Sequence, residues 1–219
     1  MTGRAASARL RDAALVLVVL AVSLGAGWML ALHSEGVTHD RMLPWIMARS
    51  LGIAAYVLLS ALVAVGIWFR HPWRVNRRTP GPESILRAHA ALAAGTLVLL
   101  VGHILATVLD SYAGVGWAGA FTPWHSSFRT TGVALGTLAL YGMILVSATA
   151  ALAGSLARRI WLPIHSVSAI LFGLCLAHGL LTGSDTHTLW WMYAATGIVV
   201  AVLQVSRSYA GRALPVETL

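Results

Sequence analysis

Nine histidines occur in the 219 residues, and four of them are spaced to act together. His89 and His103 are 14 apart, and His165 and His178 are 13 apart. All four fall in long apolar stretches, where an ionisable side chain is costly and normally faces a functional interior. On an α-helix, 14 residues advance about 21 Å and return to within about 40° of one face, whereas 13 residues advance about 20 Å and end about 140° away. If the two helices run parallel, His89 is level with His165 and His103 with His178. Two rungs result, each offering two imidazoles. A bare zinc or copper ion would want a third and fourth ligand, and no Cys, Asp or Glu sits at matching depth. A heme wants two axial imidazoles and a wide apolar slot. Ala88, Ala90, Ala93, Ala94, Gly95, Gly102, Ala106, Gly173, Ala177 and Gly179 leave room for a porphyrin. Arg87, Arg158 and Arg159 at one end, and Arg129 with Trp124 at the other, are placed to meet propionates. A single histidine of this kind is as readily a core residue bonding across helices; the case for ligation rests on two level pairs.

The elements that must hold these rungs follow from composition. The chain is 58% hydrophobic and 10% charged, with a mean hydropathy of +0.78. Soluble domains carry about 25% charged residues, so this composition excludes an ordinary soluble domain and a disordered chain. A net charge of +8 with 15 basic residues, all Arg, reads first as membrane topology rather than as a nucleic-acid surface. The single Cys175 excludes a disulfide framework and a thiolate-ligated cluster. Spanning about 30 Å of hydrocarbon takes roughly 20 apolar residues. Six stretches qualify, at about 13–32, 43–69, 85–109, 132–153, 160–181 and 189–205. Each must be a helix, because lipid offers no partner to an unpaired backbone N–H. The expected fold is therefore all-α, a six-helix polytopic bundle over 13–205, with a cytoplasmic N-terminus over 1–12 and a cytoplasmic tail over 206–219. The first stretch follows Arg4, Arg9 and Arg11 as a signal peptide would, but its long apolar run without a clear small-residue cleavage site predicts a retained helix.

The arginines orient the bundle. Arg4, Arg9 and Arg11, then Arg70, Arg74, Arg77, Arg78 and Arg87, then Arg158 and Arg159, and finally Arg207 and Arg212 fall on one side. Arg41 and Arg129 fall on the other, against Glu35, Asp40, Asp110 and Asp185. The positive-inside rule puts both termini in the cytoplasm of a cell that keeps the chain in its inner or plasma membrane. The third and fifth spans are then parallel, as the rungs require. The 13-residue spacing on the fifth span demands a tilt or a local irregularity, and Gly173 is a candidate for it. Pro163 is expected in the first turn of that span, where a missing N–H matters little.

The pattern resembles the ferric reductase-like transmembrane domain, the membrane core of ferric reductases, NADPH oxidases and the heme-binding subunit of the periplasmic methionine sulfoxide reductase system. The resemblance covers about residues 45–205 and rests on H-x13-H in the third of six helices (His89, His103) and H-x12-H in the fifth (His165, His178). It implies two heme b groups, with His89 and His165 on one iron and His103 and His178 on the other, and electron transfer from the inner to the outer side. Many members add a domain for FAD and NAD(P)H. No such segment is found, so the donor is expected to be a separate flavoprotein or a membrane quinol, and the acceptor a ferric ion or a periplasmic protein on the outer side.

Two other readings compete with a ferric reductase-like component. Cytochrome b of the quinol–cytochrome c oxidoreductases also uses two parallel helices with two histidines each, but its second spacing differs. A heme-free transporter or assembly protein would use intramembrane histidines for metal or proton movement. Among weaker features, His33, His39, His125 and His187 could collect Fe³⁺ or Cu²⁺, and Arg70, Arg74, Arg77 and Arg78 could dock an acidic flavoprotein or attract anionic lipid. Gly132 and Gly136 form a G-x-x-x-G helix-contact motif, and Cys175 reads as a small core filler.

Overall fold

The computed structural model describes residues 42–72 and 81–213, together with residue 21 alone. The expected first span at 13–32 lies outside the described residues, as do Arg4, Arg9, Arg11, Arg74, Arg77, Arg78, His33 and His39. The described chain is all helical: α1 (Leu43–Phe69), α2 (Pro82–Leu109), α3 (Gly116–Phe121), α4 (Thr130–Ala151), α5 (Arg158–Ser166), α6 (Ser168–Thr182) and α7 (Thr186–Ala213). Five segments are long and apolar enough to cross a membrane: α1, α2, α4, the α5–α6 pair and α7. This is a multi-pass membrane bundle.

Local chemistry sets the helix ends. Proline stands in the first turn of α1 and of α2, where no N–H is required, and Glu83 adds a negative charge to the first turn of α2. The last span does not stop near Val205; α7 continues through 206–213 into what reads as a tail. The loop between α2 and α4 folds over itself. Asp110, buried, accepts hydrogen bonds from the backbone N–H groups of Tyr112 (3.2 Å) and Ala113 (2.7 Å), and the short α3 follows.

The spans pack as two pairs. α1 runs along α2, α4 runs along α6, and α7 joins α1 and α6. α2 and the α5–α6 span, the histidine carriers, are not packed on each other. Helices that touch directly sit about 8–10 Å apart, so a slot separates these two. Tyr56, Leu59, Val63 and Ile67 of α1 close the bundle against Phe172 of α6 and Leu189, Tyr193 and Val200 of α7. Ala54, Ala55 and Leu58 close it against Leu99 of α2. Val98, Val101, Ile144, Ile170, Ile198 and Val202 are exposed on the outside, as befits side chains with lipid for solvent.

The fifth span is broken, and not where a glycine would suggest. α5 ends at Ser166 and α6 begins at Ser168. At the join the Val167 N–H donates to the Ile164 carbonyl at 3.1 Å, a tightened i→i−3 bond. Pro163 is the sixth residue of α5, past the first turn, and its missing N–H leaves the Arg159 carbonyl without its helical donor. Gly173 lies inside continuous α6. The proline and the tightened turn at Val167 supply the irregularity that a 13-residue spacing needs.

Candidate functional site

The bundle brings the four histidines together as two facing pairs. The His89 and His165 rings are 6.0 Å apart between centroids with planes at 63°, and the His103 and His178 rings 6.3 Å apart at 77°. The pairing is same-end to same-end, so α2 runs parallel to the α5–α6 span. Two metal–imidazole bonds of about 2 Å in line, each to a nitrogen about 1 Å from its ring centre, put centroids about 6 Å apart. Both rungs have that separation. Among the described residues no three His, Cys, Asp or Glu side chains converge as a metal site, so each rung offers two imidazoles.

How the rings are held differs between the rungs. His103 Nδ1 is 2.7 Å from the Ala48 carbonyl of α1, and His178 Nδ1 is 2.8 Å from the Gly132 carbonyl of α4. A carbonyl only accepts, so each Nδ1 carries the proton and each Nε2 keeps its lone pair. That is the tautomer a metal ligand needs, and the bond to the carbonyl holds the ring in one orientation. Each acceptor carbonyl belongs to the residue four before a glycine. A Cβ on Gly52 would lie 2.9 Å from His103 Nδ1, and one on Gly136 would lie 2.6 Å from His178 Nδ1. Only a residue without a side chain lets the imidazole reach the carbonyl one helical turn earlier.

His89 meets the same arrangement incompletely. Gly66 of α1 faces its ring, with a Cβ there 3.1 Å from Cε1. Nδ1 lies beside the Leu62 backbone, four residues earlier, without closing a hydrogen bond of proper geometry. His165 Nδ1 is also buried without a partner. The G-x-x-x-G motif is therefore an intrachain contact: Gly132 supplies the carbonyl and meets Thr182 and Leu181, and Gly136 seats the ring.

A largely apolar cavity of about 200 Å³ opens at the His103–His178 rung. Its small walls come mainly from α1 and α4, through Ala48, Gly52, Gly136 and Ala139. Of the small residues singled out around the histidines, Gly179 alone lines it. The charged lining is also unforeseen. Arg49 donates from Nε to Asp185 at 2.8 Å and pairs with it again through Nη2, linking α1 to the turn before α7. Trp45, Tyr56 and Tyr193 add aromatic walls, and the Tyr56 hydroxyl is 2.6 Å from Thr196 Oγ1.

The three arginines expected near a cofactor have these surroundings. Arg87, exposed, pairs with Glu83 one turn away at 2.7 Å. Arg129, in a left-handed conformation with φ 40°, donates to the Leu181 carbonyl at 2.9 Å and thereby satisfies the end of α6. Arg158 lines an open hollow with Arg70 and Arg159 at the opposite end. Trp124 is 60% exposed. His125 and His187 are exposed, and His71 lies 3.2 Å from Ser206 Oγ, joining the end of α1 to α7.

Sequence reasoning missed Gly52, Gly66 and the Arg49–Asp185 pair. The glycines had a signal: they are 14 apart, as His89 and His103 are. An antiparallel neighbour carrying the same spacing is what seats both rings. Comparison with protein-family models, curated proteins and solved structures gives no match.

Proposed function

We propose that this chain is a diheme b-type membrane cytochrome, ferric reductase-like in plan, that passes electrons across the membrane. His89 and His165 would hold one heme and His103 and His178 the other. The observation that carries this reading is the pair of level imidazole rungs, each with rings 6.0–6.3 Å apart, bridging two helices that do not otherwise pack. Heme held by two imidazoles would supply one-electron outer-sphere transfer rather than chemistry on a bound ligand.

The chain's own residues orient and insulate. Ala48 and Gly132 fix the proton on Nδ1 of His103 and His178, so Nε2 would be the ligating atom. The apolar walls of α1, α4 and α7 exclude water, which with the ligands tunes potential. The rungs are about 20 Å apart along the helices, so together they reach across most of the hydrocarbon core. The arginine-rich end reads as cytoplasmic. It would receive electrons from a separate flavoprotein, itself served by FAD or NAD(P)H, or from quinol. A ferric ion or a periplasmic protein would take them at the Asp185 end.

Purified protein should show a b-type reduced-minus-oxidised spectrum and about two hemes per chain by pyridine hemochromogen. His103→Ala and His178→Ala should each remove the same one of two potentiometric components, and His89→Ala the other. Folded wild-type protein without heme would overturn the reading.

A further inference from the structure

At the arginine-rich end, Arg70, Arg158 and Arg159 converge on an open hollow floored by Leu162, Pro163 and Ser166. Arg70 sits just past α1, and the other two open α5. Among the described residues, no carboxylate lines this hollow against the three cations. The ion pairs among the described residues are Arg49–Asp185 and Arg87–Glu83, so Glu83 on this end is already taken. Burial, and then the nearby charges of Arg207 and Arg158, push the Arg70 guanidinium below its usual range. The first turn of α5 adds to the same field. Its N-cap is Ala157, with no side-chain cap, and the turn contains no acidic residue, so the positive end of the helix dipole is not offset locally.

What lies beneath selects the ligand. Arg159, Pro163 and Ser166 recur at the spacing of one face of α5, Ile170 follows just past the break, and all four are exposed. The face thus begins with a cation at the helix start and runs through proline into an isoleucine that is 66% exposed within a membrane span. A soluble anion would use only the top of this stripe. A molecule with an anionic head and hydrocarbon tails would use all of it.

We infer that Arg70, Arg158 and Arg159 form a binding site for the phosphate headgroup of an anionic phospholipid, whose acyl chains lie along the Pro163–Ile170 face. The site needs no heme and stands or falls apart from the electron-transfer reading. Full-length protein in detergent, stripped of lipid, is titrated with cardiolipin, phosphatidylglycerol or phosphatidylcholine and read by native mass spectrometry. Wild type should retain one anionic lipid in preference to phosphatidylcholine. Arg158→Gln/Arg159→Gln should weaken that retention roughly 30-fold, at about fivefold per cation near an anionic headgroup. Ser166→Trp, which fills the hollow and leaves every charge in place, should also lose the lipid and guards against a misfolded double variant.

Unchanged retention in both variants overturns the site. Displacement of the lipid by an equal concentration of inorganic phosphate makes it a free-phosphate site and overturns the lipid assignment. Tight binding of poly-glutamate with no preference among lipids makes it a protein-docking face, with the same consequence. Loss of heme absorbance in the double variant, with lipid retention intact, assigns the arginines to a cofactor carboxylate instead.

Discussion

The two rungs carry the same residues at the same separation, yet one is anchored and the other is not. At the His103–His178 rung each Nδ1 is bonded to a backbone carbonyl. Thr107 and Thr182, each four residues after its histidine, also close onto that histidine's own carbonyl at 2.7 Å. At the His89–His165 rung both Nδ1 atoms lack a partner, and the residues four further on are Ala93 and Ala169. A buried donor without an acceptor costs about 1–3 kcal/mol, so the second rung is the less determined structure. A fixed ring holds its ligating nitrogen in one direction; a free ring waits for whatever it binds to orient it. The difference teaches that level histidines are only half of a site, and that the neighbouring helix supplies the other half.

The glycine seats offer the sharpest way to break this comparison. Gly136→Ala should destabilise the His178 ring most, by about 2–3 kcal/mol, from steric displacement plus a lost hydrogen bond. Gly52→Ala should follow, and Gly66→Ala should be near neutral, because alanine's helix preference of about 1 kcal/mol offsets a looser contact. The order tracks the Cβ approaches of 2.6, 2.9 and 3.1 Å. Heme retention during thermal denaturation, monitored at the Soret band, would rank them. Equal losses from all three would erase the distinction between anchored and unanchored rungs.

The ion pair at the cavity mouth comes next. Arg49 and Asp185 side chains are 17% and 25% exposed, so removing one strands a partly buried charge. Arg49→Ala or Asp185→Ala should lower stability by about 1–3 kcal/mol, less than for a fully buried pair. The double variant should recover part of that loss, and the His103–His178 centre should respond more than its counterpart. A thermal melt of the four proteins checks the cycle; strictly additive losses would show that the pair is not coupled.

Pro163 addresses the other end. Pro163→Ala restores a donor for the Arg159 carbonyl and lets α5 wind regularly into α6. His165 lies between Pro163 and the break at Val167, so its ring should rotate relative to His89 while His103 and His178 stay put. If each rung holds a heme iron, low-temperature paramagnetic resonance of the oxidised protein should show one iron signal moved and one unchanged. Movement of both signals would mean that the break is not what phases the two histidines.

How much of this was legible follows from how local each signal is. Apolar runs placed α1, α2, α4 and α5–α6 to within a few residues, because a membrane demands uninterrupted helix, but they stopped α7 eight residues short of Ala213. Arginine asymmetry predicted the parallel course that the ring pairs display. The 13-residue spacing announced an irregularity but not its place: Gly173 is permissive, whereas Pro163 removes a hydrogen bond outright. The seats of His103 and His178 depend on the register between α1 and α2 and between α4 and α6, which no single span encodes. Arg49 and Asp185 are 136 residues apart and meet only in three dimensions.

Arg87 gives the smallest expected effect and a discriminating one. Its position two residues before His89 made it a natural cofactor contact, but its guanidinium pairs with Glu83, a side chain that is 83% exposed. An exposed i,i+4 pair contributes only about 0.3–0.5 kcal/mol. Arg87→Ala should therefore leave heme content and both midpoint potentials within error of wild type. A lowered potential confined to the His89–His165 centre would show that the guanidinium leaves Glu83 when that rung is loaded. The rung without backbone anchors would then be held by a side chain that binding recruits, and the two rungs would differ in when they are ordered rather than in whether they are.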